Sequence, residues 1–290
     1  MKAFVAVLSS AFLLLLTACG QQSQMKPEAA HNTDGQQTVK VFILAGQSNM
    51  GGAGNVAELF EQQRKIPPSI RLWEGGQFRE LVWNKSFGPE VGFADGLLKA
   101  GVAGPVVLVK LGPGGTHLYG DWAPDGKADA NGRGGLYAKL MAEVAAATQA
   151  IEAQGKHARI AGMCWMQGER DARDKVMGES YRANLKAFVA RLRKDTAVAD
   201  MPVVIARISP RKIVVDLGPA FQVQPYRQAV REAQEKVARD DGRAAWIDAD
   251  DLPQFDNLHY DAAGQLMLGR RFASAMLKLM GVSGWDKIVP

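Results

Sequence analysis

Along this chain, unbroken apolar runs alternate with segments whose apolar residues recur every three or four positions. The runs predict strands at Val39–Ala45, Val106–Leu111, Arg159–Met166, Pro202–Ile208 and Ala244–Ile247. The helical spacing, with its caps, predicts helices at Val91–Ala100, Leu136–Gln154, Tyr181–Lys194, Pro225–Arg239 and Ala262–Leu279. A strand covered on both faces reads as a continuous Val/Ile/Leu/Phe run, and strands alternating with helices build a parallel sheet between two helical layers. The expectation is therefore a three-layer α/β/α domain. The segment Ile70–Trp83 reads as a small hairpin. About 240 residues suffice for one well-buried domain, and no second linker or internal repeat divides them.

Three of the runs end in polar, glycine-marked tips. The first, VKVFILAG, stops at Gly46 and presents Ser48, where an open α/β sheet places its chemistry, beyond the strand's carboxyl end. Ser48 is either a nucleophile or a helix N-cap, a role serine fills commonly. A nucleophile needs a base, and the chain has four histidines. His31 lies in a polar N-terminal tract, and His157 follows Gly155 and Lys156 at an expected helix end, which favours a capping or surface role. His259 lies in DNLHYD with Asp256 three residues before it, so one short loop could deliver both a base and the carboxylate that orients it. The competing reading makes Asp256 and Asp261 capping residues. Acyl transfer also needs oxyanion donors. Gly112, Gly114 and Gly115 after the second run, and Gln167 with Gly168 after the third, are the segments that could supply them.

Four blocks stand in order: GQSNM at Gly46–Met50, GGTH at Gly114–His117, QGERD at Gln167–Asp171 and DNLH at Asp256–His259, with FGPEVGFADGL at Phe87–Leu97. Together they resemble the SGNH-type hydrolases of carbohydrate esterase family six, which include sialate O-acetylesterase-like and acetylxylan esterase-like proteins. The resemblance runs from about Val39 to Met280. It implies the flavodoxin-like parallel sheet of the SGNH hydrolase fold and a serine esterase that needs no cofactor. It further implies Ser48 as nucleophile, His259 as general base and acid, and Asp256 as its orienting carboxylate. The oxyanion donors it implies are the Ser48 amide, an amide of Gly114 or Gly115, and the Gln167 side chain. Glu169 and Asp171 match positions that bond neighbouring loops. His117 and Trp122, in the long connection after Leu111, are candidate substrate contacts. Met50 stands where the α/β-hydrolase elbow requires a glycine, which sets that motif aside.

Met1 and Lys2 precede an apolar run from Ala3 to Leu16 that ends in LTAC. The run is too short for a comfortable span and reads as a signal-peptide core. LTAC resembles the bacterial lipoprotein box, which implies cleavage before Cys19 and lipid on its sulfur. The division expected is a signal peptide at 1–18, a lipidated cysteine and polar tether at 19–38, and an esterase domain at 39–290. The protein would be lipid-anchored and extracytoplasmic in a bacterial cell envelope, on the outer membrane or periplasmic face if the cell is Gram-negative. Cys164, the second of two cysteines, lies in an apolar run and reads as a small buried hydrophobe. The acidic run Asp248–Asp251 and the segment Asp129–Gly132 lack a closing glutamate, so no metal is expected. The formal charge of +5 is spread among apolar residues without a nucleic-acid motif, which points to solvated faces and no nucleic-acid partner.

The functional expectation is a membrane-tethered carbohydrate O-acetylesterase of acetylxylan type acting on an acetylated carbohydrate. The alternatives are a sialic acid O-acetylesterase and a non-catalytic carbohydrate-binding lipoprotein. Cys19→Ser is expected to remove the protein from the lipid-modified pool, because stable anchoring takes more than one acyl chain. Mass spectrometry of membrane-extracted protein checks this, and an unmodified Cys19 would overturn it.

Overall fold

The computed structural model describes residues 32–102, 104–127, 134–211 and 224–289. The signal sequence, Cys19 and His31, with the tether as far as residue 31, lie outside the described residues, as does the segment Asp129–Gly132. Asn32–Gln37 lead into the first strand, and Gln37 accepts a backbone hydrogen bond from His157 at 3.0 Å. Among the described residues, no helix is long and apolar enough to cross a membrane.

The elements follow in the order β1 (Thr38–Gly46), α1 (Ser48–Gly51), β2 (Gly54–Asn55), α2 (Glu61–Arg64), β3 (Ile70–Glu74), β4 (Gln77–Arg79), β5 (Ser86–Phe87), α3 (Pro89–Lys99) and β6 (Val106–Leu111). They continue with α4 (Leu136–Glu152), β7 (His157–Met166), α5 (Lys175–Asp195), β8 (Val203–Ala206), α6 (Arg227–Asp240), β9 (Ala244–Ile247) and α7 (Ala262–Leu279). One seven-stranded sheet runs β4-β3-β6-β1-β7-β8-β9, and every pairing is parallel except β3 with β4. The mixed α/β fold expected from the alternating pattern is present, with its mostly parallel sheet between helices. The expected hairpin is real, but β3 also joins the central sheet beside β6.

From β1 the chain lays down β3, β4 and then β6 on one side before it passes to β7 on the other. Crossovers of one hand that move in opposite directions lie on opposite faces. Accordingly α3 packs on α7, and α5 on α6. The reversal places a crevice at the carboxyl end of β1, between the loops that follow β6 and β7, where open sheets bind ligands.

Two close approaches hold that crevice in register. Gly46 closes β1 opposite Met166, and a Cβ there would lie 2.0 Å from the Met166 carbonyl oxygen. Where α3 crosses α7, a Cβ on Gly92 would lie 2.1 Å from the Leu266 carbonyl oxygen, and one on Gly269 would lie 2.1 Å from that of Pro89. The two helices thus touch backbone to backbone. One apparent misfit in the apolar runs is also explained: Lys110 of β6, 5 % exposed, meets Glu90 at the start of α3 with Nζ to Oε2 2.9 Å.

His157 is the first residue of β7 rather than a helix-end residue, because α4 stops at Glu152 and Gly155 turns the chain at φ 73°. Helix α5 begins six residues before its expected start, at Lys175, because the Asp174 side chain accepts from the Met177 amide at 3.0 Å and caps it. Gly46→Ala is expected to cost about 1–3 kcal/mol through overpacking against β7. Urea unfolding measures this; a variant as stable as the parent would mean that β1 and β7 can part freely.

Candidate active site

Ser48 opens the short helix α1 directly after β1. Its Oγ lies 3.1 Å from Nε2 of His259, and Nδ1 of His259 lies 2.7 Å from Oδ2 of Asp256. The other oxygen of Asp256 accepts from the backbone amides of Leu258 at 2.9 Å and His259 at 2.5 Å. The carboxylate is therefore fixed by its own loop before it meets the imidazole. In the loop's other wall, Phe255 stacks on His259 with ring centroids 5.8 Å apart and stays 61 % exposed.

Asn49 carries this loop to Ser48. Its side chain donates to Glu169 Oε1 at 2.9 Å and to the Leu258 carbonyl at 2.9 Å, and accepts from the Tyr260 amide at 3.2 Å. Immediately after the loop, Asp261 caps α7 by accepting from the Gly264 amide at 2.8 Å. The histidine is thus clamped on one side by Asn49 and on the other by a helix docked on α3.

Of the two glycines after β6, Gly114 is the one beside Ser48. A Cβ there would approach Cβ of Ser48 to 3.6 Å, whereas Gly115, at φ 70°, faces open space. Neither the Ser48 nor the Gly114 amide donates to an acceptor among the described residues.

Gln167 departs from the sequence expectation. It is fully buried, and its Nε2 faces Asp171 Oδ2 at 2.6 Å, the Thr116 carbonyl at 2.9 Å and Gln47 Oε1 at 3.2 Å. Its Oε1 accepts from the Tyr181 hydroxyl at 3.1 Å. Two hydrogens with that many internal acceptors have nothing left for an oxyanion. The amide that remains available is that of Gln47, which the sequence reading passed over. Its Oε1 accepts from Gln167 Nε2 and from the Gly168 amide at 3.4 Å, while its Nε2 has no acceptor among the described residues. The signal was its place next to Ser48.

One further expectation is corrected. Trp122 is fully buried, donates its indole N–H to Thr116 Oγ1 at 2.9 Å and packs edge-on against Trp165, so it cannot reach a substrate. His117 turns Nδ1 inward, accepting from the amides of Gly120 at 3.0 Å and Asp121 at 3.2 Å. Its ring shapes the loop. Asp171, fully buried, accepts from the amides of Leu118 at 2.9 Å and Tyr119 at 3.1 Å, which bolts the connection after β6 to the tip of β7. Burial pushes its carboxyl above the usual range, as it does that of Glu169.

Cys164 lies wholly buried within β7. The acidic run is occupied by arginines: Asp250 binds Arg207 and Arg231, each at 2.7 Å, and Asp251 binds Arg271 at 2.6 Å. No group of three or more metal-ligating side chains occurs among the described residues. A hollow of about 880 Å³ beside β9, lined by Trp246, Asp248, Arg271 and Trp285 among others, shares no residue with Ser48, Asp256 or His259.

Residues 38–278 match the family of carbohydrate esterases described as sialic acid-specific acetylesterases. The chain belongs to that family. It is 26% identical over 264 residues to a protein of Arabidopsis thaliana named "Probable carbohydrate esterase", covering 82% of this chain and 90% of the plant protein. A crystal structure of the plant protein superposes with a TM-score of 0.64 at 24% identity, over 83% of this chain and 98% of that one. A carbohydrate acetylesterase from Xanthomonas citri superposes with a TM-score of 0.62 at 18% identity, over 82% of this chain and 56% of that one. At these identities the two structures speak to the fold, and the family match makes this chain a member of an esterase family.

Glu169 generates a test of the clamp. Its Oε1 holds Asn49, while Oε2 is buried without a hydrogen-bond partner among the described residues. Because its folded pKa is raised, the native state keeps the proton over a range in which the unfolded chain has lost it, so stability falls as pH rises through that range. Glu169→Gln, neutral throughout, is expected to gain on the parent as pH rises from about 4 to 8. Urea unfolding across that range checks it; a stability difference independent of pH would contradict the assignment.

Proposed function

We propose that this protein is a carbohydrate O-acetylesterase that works through a serine nucleophile. The observation that carries the reading is the continuous chain from Ser48 to His259 to Asp256, 3.1 and 2.7 Å, at the crevice of a carbohydrate esterase family member. Ser48 Oγ attacks the acetyl carbonyl while His259 Nε2 takes its proton, and Asp256 holds the imidazole in the tautomer that leaves Nε2 free to accept. The tetrahedral oxyanion is met by the amides of Ser48 and Gly114 and by Nε2 of Gln47. Collapse expels the sugar hydroxyl, which receives the proton from His259. Water then attacks the acetyl-enzyme, gives its proton to His259, and acetate leaves as Ser48 recovers its hydrogen. Gln167 serves this chemistry indirectly, by orienting Gln47.

The substrate class proposed is an acetyl ester on a sugar hydroxyl. The family description favours O-acetylated sialic acid, and the xylan-type reading, with the place in carbohydrate esterase family six that goes with it, rests on the four sequence blocks. Hydrolysis rates on acetylated xylan and on O-acetyl sialic acid decide between them. Tethering of this domain to an envelope membrane through lipid on Cys19 is proposed on the sequence alone.

Ser48→Ala is expected to lower turnover of a small acetyl ester by at least about a thousandfold without loss of fold. Gln47→Ala is expected to lower kcat by about a hundredfold with little change in KM, as befits a donor used in the transition state. Steady-state kinetics on p-nitrophenyl acetate, with circular dichroism as a fold control, test both. Full activity of Ser48→Ala would place the nucleophile elsewhere, a parent protein without esterase activity would leave the non-catalytic carbohydrate-binding reading, and a pure KM effect in Gln47→Ala would assign that side chain to recognition.

A further inference from the structure

Beside the nucleophile lies a second recess that the proposed reaction does not use. Its volume is about 340 Å³, within the range of small-molecule sites, and Gly51, Glu74, Arg79, Trp83, Asn84 and Lys110 are among its walls. Gly51 ends the helical turn that Ser48 begins, so one wall of the recess lies about one turn, roughly 5 Å along the helix, from Ser48.

Its walls combine a flat apolar face with fixed polar groups. Trp83 is 44 % exposed, and its indole N–H donates to Glu74 Oε2 at 3.2 Å. The Arg79 guanidinium stacks over the Trp83 ring at 3.9 Å and donates its Nε to the Glu74 carbonyl at 3.3 Å. Those contacts order three side chains in advance of any ligand, and the terminal nitrogens of Arg79 donate to no acceptor among the described residues. At its base the Lys110–Glu90 pair is closed on itself at 2.9 Å. The recess thus offers an aromatic face, a forked donor, carboxylate and amide groups, and no unpaired acidic floor. Sugar rings present C–H patches to stack on aromatic faces and vicinal hydroxyls to fill forked polar groups.

We infer that this recess is a subsite for the sugar ring adjacent to the acetylated one, so that the enzyme acts on acetyl esters carried by oligosaccharides in preference to free acetylated monosaccharides. The inference rests on the proposed esterase function. The ring bearing the ester covers Ser48, and its neighbour in the chain extends over Gly51 onto Trp83. Arg79 and Glu74 take that neighbour's hydroxyls.

The test compares acetylated xylotetraose and O-acetylated sialyllactose with the corresponding acetylated monosaccharides, in the parent protein and in Trp83→Ala. In the parent, kcat/KM on at least one oligosaccharide should exceed that on its monosaccharide by about tenfold or more. Trp83→Ala should erase that advantage through KM and leave monosaccharide and p-nitrophenyl acetate turnover unchanged, while Trp83→Phe should retain part of it. An equal fall on every substrate, or an oligosaccharide advantage that survives Trp83→Ala, would overturn the subsite. So would a parent enzyme that cleaves the sugar esters but shows no such advantage. Calorimetry with Ser48→Ala and unacetylated xylotetraose and sialyllactose separates the two ideas: binding that is lost on adding Trp83→Ala keeps the subsite even if no sugar ester is cleaved, whereas ester cleavage with no Trp83-dependent binding keeps the esterase and removes the subsite.

Discussion

The site depends on the buried amide of one residue, Asn49. Its three hydrogen bonds join the end of β1 to Glu169 beyond β7 and to the loop that bears His259. Each such bond contributes only about 1 kcal/mol net, but a buried group stripped of its partner costs more than that. The loop therefore cannot drift from Ser48 without stranding polar groups in the interior. A distance of 3.1 Å between side chains 211 positions apart is the result.

Around this clamp the backbone leaves little slack. The α3–α7 crossing admits no side chain at Gly92 or Gly269, which fixes the helix that starts three residues after His259. On the opposite side Asp171 gathers the amides of Leu118 and Tyr119, and Gln167 holds the Thr116 carbonyl. Gly114 is thereby presented to Ser48 by a loop without regular secondary structure whose Thr116 carbonyl and Leu118 and Tyr119 amides are held by buried side chains. Such a supporting layer is what keeps donors aimed at a position where charge has still to develop.

Much of this could be read from residue order alone. Unbroken apolar runs located all five strands from β1 and β6 to β9, because strands covered on both faces have no room for polar alternation. The Asp256–His259 spacing likewise marked a self-contained base and carboxylate. β3 was harder to place, since IRLWE alternates like a half-exposed hairpin strand, and only β6 beside it reveals its second partner. That the Gln167 amide is used up internally while Nε2 of Gln47 is left without an acceptor among the described residues was beyond reach. Both are amides at strand tips, and what separates them is which one Asp171, Thr116 and Tyr181 surround, a fact of packing and not of spacing. Trp122 misled for a similar reason: a loop tryptophan looks available until Trp165 and Phe188 are seen to enclose it.

The order in which the pieces are drawn from the chain has its own consequence. Ser48 follows the first strand of the sheet and His259 lies in the loop after the last, so under the proposed mechanism a growing polypeptide displays its nucleophile long before it owns a base. Until the carboxyl-terminal helix docks, Ser48 is an ordinary hydroxyl. A chain arrested in synthesis, clipped near its end, or caught half-collapsed carries all the chemistry of the first strand and none of the reactivity. Contacts of such long range also form late and slowly. On that mechanism ester cleavage is a certificate of completed folding, issued only when the first strand and the loop after the last have found each other.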